Sequence, residues 1–281
     1  MRTRPKTIQI FLPDGNARGI RLAEITSRTV QAIQIPRTKL AAAGEREEAK
    51  GVGVYFLFGE HDDEARPSVY IGEAEDCYQR LKQHVVGKSF WQQAVAITSK
   101  TQRFTKADVK YLEWYCYQHA IQVGRFTLEN KAIPTKPYLP EPAIADLLDN
   151  FETIQVVVST LGFPLFDTIK PPRKRDQFYC EGRGAKGIGE LVEDGFLVLK
   201  GSTAAMEVTP SAKERFADNV RQRLLRSGIL VPHEQLYRFA EDYLFKSPSG
   251  GAVAILGRSS NGWTAWKNAK GQTLDEVKRQ G

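Results

Sequence analysis

No apolar run in this 281-residue chain approaches the roughly 20 residues that a bilayer-crossing helix needs, so the sequence offers no membrane span. Cysteine is scarce. Cys77, Cys116 and Cys180 are far apart, odd in number and in no paired motif. Neither a disulfide framework nor a zinc knuckle is therefore supported, and all three read as free core thiols. Internal repeats are absent. The opening, Met1 to Lys6, is basic but leads into a short alternating segment instead of a signal-peptide core, so the expected location is cytoplasmic. The glycines of Gly182-Arg183-Gly184-Ala185-Lys186-Gly187 lack the P-loop order of glycines followed by Lys and Ser/Thr. They read as tight turns.

What is present is an ordinary soluble composition, 41% hydrophobic and 26% charged, at a length that suggests two or three compact units. The formal net charge of +7 suits a polyanionic partner, because cationic side chains displace counterions from nucleic-acid phosphates. Charge alone selects no partner, since most surface lysines and arginines are simply solvated.

Residues 7–12 and 19–24 alternate apolar and polar positions around Pro13-Asp14-Gly15-Asn16, which predicts a hairpin. Val30 to Ile35 suits a third strand, and the Ala- and Glu-rich stretch to Lys50 a helix. Together these form an expected N-terminal β-hairpin extension over residues 1–50. Val52–Phe58 and Ser68–Ile71 should pair as antiparallel strands, followed by a helix from Glu75-Asp76 carrying Cys77, Leu81 and Val85 on one face. Val95–Thr98 is a further strand. The next helix has Thr105 and Asp108 as a capping box, Val109, Leu112, Cys116 and Ala120 as its apolar face, and Gly124 as its stop.

Four prolines between Lys131 and Pro142 mark the expected domain boundary, with residues 132–175 a linker and packing helix. In that stretch Ile144, Leu147, Phe151, Ile154, Val158 and Leu161 keep helical spacing, although Val156-Val157-Val158 leaves a strand open. A C-terminal mixed α/β accessory domain over 176–281 should contain short strands from Phe178 to Gly201 and helices at about 210–227 and 232–246. Trp263 and Trp266 are expected to pack in its tail.

Glu113 carries the first chemical hint. At 100° per residue it falls near Val109 and Ala120, so its carboxylate borders an apolar face and needs a basic partner, a hydrogen-bond network or a metal ion. Arg80 and His84, one turn apart on the preceding helix, can point into one cleft. A guanidinium suits phosphate oxygens, and a histidine exchanges protons near neutrality. Each feature alone is commoner as an ion pair or a solvated side chain than as a site.

Their order along the chain is what combines them: Gly53-Val54-Tyr55, Tyr70-Ile71-Gly72, Arg80, His84, Glu113 and Asn130. This resembles the GIY-YIG nuclease family over residues 51–131, with Val54 in place of the usual Ile and a longer connection containing His61-Asp62-Asp63-Glu64. The resemblance implies an α+β fold, a small three-stranded antiparallel sheet flanked by helices, and a divalent-metal-dependent endonuclease hydrolysing DNA. By that resemblance Tyr55, Tyr70, Arg80, His84, Glu113 and Asn130 are the catalytic set. Glu113 would hold one Mg²⁺ or Mn²⁺ ion among oxygen ligands, and Arg80 would neutralise the scissile phosphate. Tyr55 would activate or orient water, with Tyr70 and His84 in the same network and His84 as the other candidate base. Gly72 would permit close packing, and Asn130 would support the site. Gly257 through Trp263, with Trp266-Lys267 and Gly271-Gln272-Thr273-Leu274, resembles an uncharacterised C-terminal domain that accompanies such modules. The competing expectations are a non-catalytic nucleic-acid-binding protein on the same fold and an interaction scaffold using the tail.

Overall fold

A computed structural model describes residues 5–169, 177–210 and 216–279. Over these residues the mixed α+β chain divides into two compact units, one reaching residue 61 and resuming over 66–168, the other comprising 62–65 with 169 onward.

The first unit contains β1 (Ile8–Phe11), β2 (Arg21–Ile25), β3 (Val30–Pro36), α1 (Leu40–Ala43), β4 (Gly53–Gly59), β5 (Ser68–Ala74), α2 (Cys77–Gly87), β6 (Trp91–Ser99), α3 (Lys106–Val123), β7 (Thr127–Leu128) and α4 (Glu141–Thr160). Its strands form one seven-stranded sheet in the order β1-β2-β3-β6-β4-β5-β7. The expected three strands, β6-β4-β5, lie within that sheet, but they are not a sheet of their own and residues 1–50 are not an appendage. β3 pairs with β6 along its whole length, from Val30 opposite Ser99 to Pro36 opposite Gln93. Two causes act together. The outer backbone edge of β6 carries donors and acceptors that need partners, and β3 is apolar on both faces, with Ala32, Ile33 and Ile35 fully buried, as suits an interior strand.

The local signals around this sheet are strong. Asp76 caps α2 by accepting from the Gln79 N–H at 3.0 Å. Thr105 and Asp108 form a reciprocal capping box on α3, which stops at Gly124 with φ +66°. The Ala- and Glu-rich stretch yields only the four-residue α1 and a 3-10 turn at Glu47–Ala49.

One sheet face packs against α3 and α4, the other against α1 and α2. Leu147, Phe151, Ile154, Val157 and Val158 of α4 are buried in the same core as Val54, Phe56, Ile71 and Ile97. The proline-rich stretch is therefore not the edge of a unit, and the break in packing falls after residue 168. Prolines there deny the chain regular hydrogen bonding without detaching it from the core. The strand alternative for Val156-Val157-Val158 does not occur. The expected linker end at 175 and domain start at 176 lie outside the described residues.

The second unit contains β8 (Phe178–Gly182), β9 (Ala185–Val192), β10 (Gly195–Val198), β11 (Thr203–Ala205), α5 (Phe216–Arg226), β12 (Leu230–His233), β13 (Leu236–Phe239), β14 (Tyr243–Phe245), α6 (Pro248–Leu256), α7 (Gly262–Ala265) and α8 (Leu274–Lys278). Its sheets run β14-β10-β9-β8 and β11-β13-β12. Arg183 and Gly184, at φ +56° and +78°, make the β8–β9 hairpin turn, which accounts for two residues of the glycine-rich stretch.

The helix expected over 232–246 is absent. Leu236, Phe239 and Tyr243 do sit at helical spacing, but Glu234 at φ +54° turns the chain and Val231 and Tyr237 belong to paired strands. Tertiary pairing with β11 overrides the spacing. The helix expected from about 210 is seen as α5, and residues 211–215 lie outside the described set. Helix α6 is buried all round, and Trp266 is fully buried with its Nε1–H donating to the Pro248 carbonyl at 2.9 Å. Trp263 is partly buried under the Arg279 guanidinium, 3.6 Å from the ring. All three cysteines are free and buried. Among the described residues no helix is long and apolar enough to cross a membrane.

Candidate active site

Tyr55 and Gly72 face each other across the β4–β5 ladder. A Cβ at position 72 would meet the Tyr55 hydroxyl and ring, so the glycine is what lets the phenol lie across β5. Tyr55 is fully buried, and its hydroxyl stands 2.7 Å from His84 Nε2. Arg80 Nε donates to the same hydroxyl at 3.4 Å and its Nη1 donates to Gln83 Oε1 at 2.8 Å.

Charge fixes the direction of this chain. Burial, then the positive charges of Arg80 and Lys88, lower the His84 pKa to about 4, so the ring is neutral at pH 7. Arg80 can only donate. The Tyr55 hydroxyl therefore accepts from Arg80 and donates to a basic Nε2 of His84. Burial, and next the neighbouring Tyr70, push the Tyr55 pKa up, against the opposing pull of Arg80. Tyr55 rests as a phenol.

Tyr70 packs against both partners, its ring centroid 6.1 Å from that of Tyr55 and 5.2 Å from that of His84. Unlike Tyr55 it is only partly buried, and it lines a concavity of about 440 Å³ together with Glu113 and Asn130. That wall links the two halves of the expected set. Tyr55, Tyr70, Arg80 and His84 make one cluster, and Tyr70, Glu113 and Asn130 share one cavity.

Asn130 works through backbone. Its Oδ1 accepts from the Ile71 N–H at 3.0 Å and its Nδ2 donates to the Ile71 carbonyl at 2.7 Å, so an amide side chain continues the ladder that β7 begins along β5. This anchors the segment from Lys131 to Thr135 as one wall of the cavity.

Glu113, half-buried on α3, has its pKa raised to about 7 by burial and then by the negative charge of Glu73, while Lys106, Lys110 and Arg80 pull the other way. Lys106 is taken up by Glu73, 2.7 Å away. Among the described residues no cationic side chain lies within ion-pair distance of Glu113. A hard oxygen donor that is desolvated, has a second carboxylate nearby and opens into a polar cavity fits a Mg²⁺ or Mn²⁺ ion retaining most of its water.

Sequence reasoning missed three cavity residues, Lys88, Lys110 and Lys131. Lys88 was within reach, because it follows Arg80 and His84 at four-residue spacing, although it stands in extended conformation just past the end of α2. Lys110 lies three residues before Glu113 and offered a similar signal. Lys131 stands in an irregular segment and had none.

No curated protein and no solved structure matches the chain. Residues 178–278 match the family model described as Domain of unknown function (DUF4357), which establishes an uncharacterised C-terminal domain spanning the described strands and helices of the second unit from β8 to α8.

Proposed function

We propose that the first unit is a GIY-YIG-type endonuclease that hydrolyses DNA phosphodiester bonds with the help of a divalent cation. The observation that carries this reading is Glu113: a half-buried carboxylate, without an ion-pair partner among the described residues, on the wall of a lysine-lined cavity that also holds Tyr70. Burying such a charge is costly, and a cation is its natural compensation. The order of the motif residues along the chain supports the same reading, as does the β6-β4-β5 core with α2 and α3.

Glu113 would hold Mg²⁺ or Mn²⁺, which supplies charge stabilisation to a phosphate undergoing attack. The remaining roles belong to the chain. Arg80, an exposed residue, neutralises phosphate oxygens as charge builds in the transition state. Tyr70, with access to the cavity, orients the attacking water. His84 is the final proton acceptor: the Tyr55 hydroxyl, which ties it to Arg80, passes its own proton to Nε2 and takes a replacement from the cavity by way of Tyr70. Arg80 and Lys88 hold His84 far from protonation in the empty site. A phosphate between those cations offsets their field, so the imidazole becomes more basic when substrate is present. Tyr55, fully buried, does not touch water and does not serve as a free phenolate base.

The test is incubation of the purified protein with single- and double-stranded DNA in Mg²⁺, Mn²⁺ or EDTA, with Glu113→Gln alongside. Cleavage should need the metal and fall at least about 1,000-fold in the variant, because losing the cation removes several kcal/mol of charge stabilisation. A Glu113→Gln protein that cuts at the wild-type rate with the same metal dependence would overturn the assignment.

A further inference from the structure

The last carbonyls of a helix have no partners within it and need donors from elsewhere. At the end of α2 one side chain caps the Val85 carbonyl and reaches on into the connection that follows. Arg37, directly after β3, donates from Nη2 to the Val85 carbonyl at 2.8 Å. Its Nη1 donates to the carbonyls of Lys88 at 2.8 Å, Ser89 at 3.2 Å and Trp91 at 3.2 Å. The guanidinium also lies 4.8 Å from the Trp91 ring. Within the segment, the Lys88 N–H donates to the His84 carbonyl at 3.0 Å. The short connection 88–90 between α2 and β6 is thus held at several points, together with the residues on either side of it.

What the held segment presents is Lys88. Its Nζ stands 3.9 Å from the Tyr70 ring centroid, and the side chain lines the cavity with Tyr70, Lys110, Glu113, Asn130 and Lys131. The charges that act on it are Glu129, which favours its protonation, and Lys131 and Arg80, which oppose it. Three lysines line one concavity and repel one another, with the charge of Arg80 adding to the field on Lys88, and that repulsion is relieved by an anion with several charged oxygens. A helix cap alone would require Arg37 but would not require a lysine on the far side of the turn, aimed over an aromatic ring into the cavity.

We propose that Lys88, Lys110 and Lys131 form a subsite for the DNA phosphate backbone beside the bond to be cut, and that Arg37 is the positioning residue that aims Lys88 into it. The identity of the ligand as DNA rests on the nuclease reading above. The subsite itself rests on the four carbonyls bound by Arg37 and the placement of Lys88.

The experiment is fluorescence anisotropy with a labelled DNA duplex and the single strand of the same sequence, in EDTA, over a series of KCl concentrations. Each phosphate contact contributes about 0.9 to the slope of log K against log salt for a duplex and about 0.7 for a single strand. Lys88→Gln should lower the slope by about that one contact and weaken binding several-fold, while Lys88→Arg keeps both. Arg37→Met should give the same loss, and combining it with Lys88→Gln should add little, because the two act through one contact. A merely structural Arg37 would change the melting temperature and leave the salt slope alone. If Arg37→Met fails to fold by circular dichroism, the Lys88→Gln and Lys88→Arg pair decides. An unchanged slope in Lys88→Gln overturns the proposal, as does wild-type protein that binds neither DNA form. The two readings fail separately. The expected slopes without metal-stimulated cleavage would sink the nuclease alone, whereas cleavage with an unchanged Lys88→Gln slope would sink the subsite alone.

Discussion

Each unit buries a polar side chain that ought to be expensive, and the two are settled differently. In the second unit Arg221 is 1% exposed, yet its guanidinium donates to the carbonyls of Ala205, Met206 and Ala254 and lies 5.5 Å from the Tyr237 ring. Burial lowers its pKa, but the donors are used. In the first unit Glu113 is less buried and worse off, because its strongest electrostatic neighbour is another carboxylate. Depth of burial is therefore a poor guide to function. A buried charge whose hydrogen bonds are filled by its own backbone is architecture, and a shallower one whose strongest charged neighbour is of like sign is the better candidate for a ligand.

The largest effect should come from breaking the settled case. Arg221→Met leaves three carbonyls without donors in an apolar surround, so unfolding of the second unit, followed by chemical denaturation, should shift by about 3–5 kcal/mol. A variant as stable as wild type would mean that Arg221 is no better compensated than Glu113. Arg80→Ala should cost cleavage ~100-fold while metal affinity, measured by calorimetry, stays nearly intact, as expected for loss of one electrostatic stabiliser. Loss of metal binding in that variant would mean that Arg80 holds the shape of the site instead of acting on the phosphate.

The smallest effects are in the pH dependence of stability, and the two shifted groups have opposite signs. The His84 pKa lies near 4, below its ordinary value of 6.5, so the folded state is penalised as pH falls from 6.5 toward 4. His84→Gln should flatten that acid limb of the melting curve. Glu113 is shifted up from 4.5 to about 7, so its penalty develops as pH rises through this window. Without metal, Glu113→Gln should raise the melting temperature by a few degrees at pH 8 and hardly at pH 4.5. Equal shifts at both values would remove the electrostatic contrast between Glu113 and Arg221.

Local features were legible in the sequence because their causes are local. The Pro13-Asp14-Gly15-Asn16 hairpin, the capping box at Thr105 and the Gly124 stop need only residues a few positions apart, and each is found where the spacing puts it. Tyr55, Tyr70, Arg80, His84, Glu113 and Asn130 were readable as an ordered set, and the structure brings them around Tyr70. What escaped depends on distant pairing. Nothing near Val30 announces that it will meet Ser99, and nothing in α4 shows that its apolar face belongs with Phe56 instead of with the chain that follows. Arg37 reads as one of many surface cations until its four carbonyl partners, at least 48 residues away, are in place. The proposal of His84 over Tyr55 as base also rests on a non-local feature: the phenol of Tyr55 lies where a side chain at Gly72 across the ladder would stand.

The β3–β6 pairing has a consequence for how the chain can be cut. An isolated segment beginning at residue 51 would keep every motif residue yet leave β6, nine residues long, as an open edge. Ala94, Val95, Ala96 and Ile97 in that strand are fully buried in the intact unit. Long apolar edges with free donors and acceptors recruit strands from other molecules. The intact sheet instead ends in the four-residue β1 on one side and the two-residue β7 on the other, both too short to template much pairing. The first fifty residues are thus an insurance against self-association, and a segment trimmed to the motif residues should precipitate before it can be assayed.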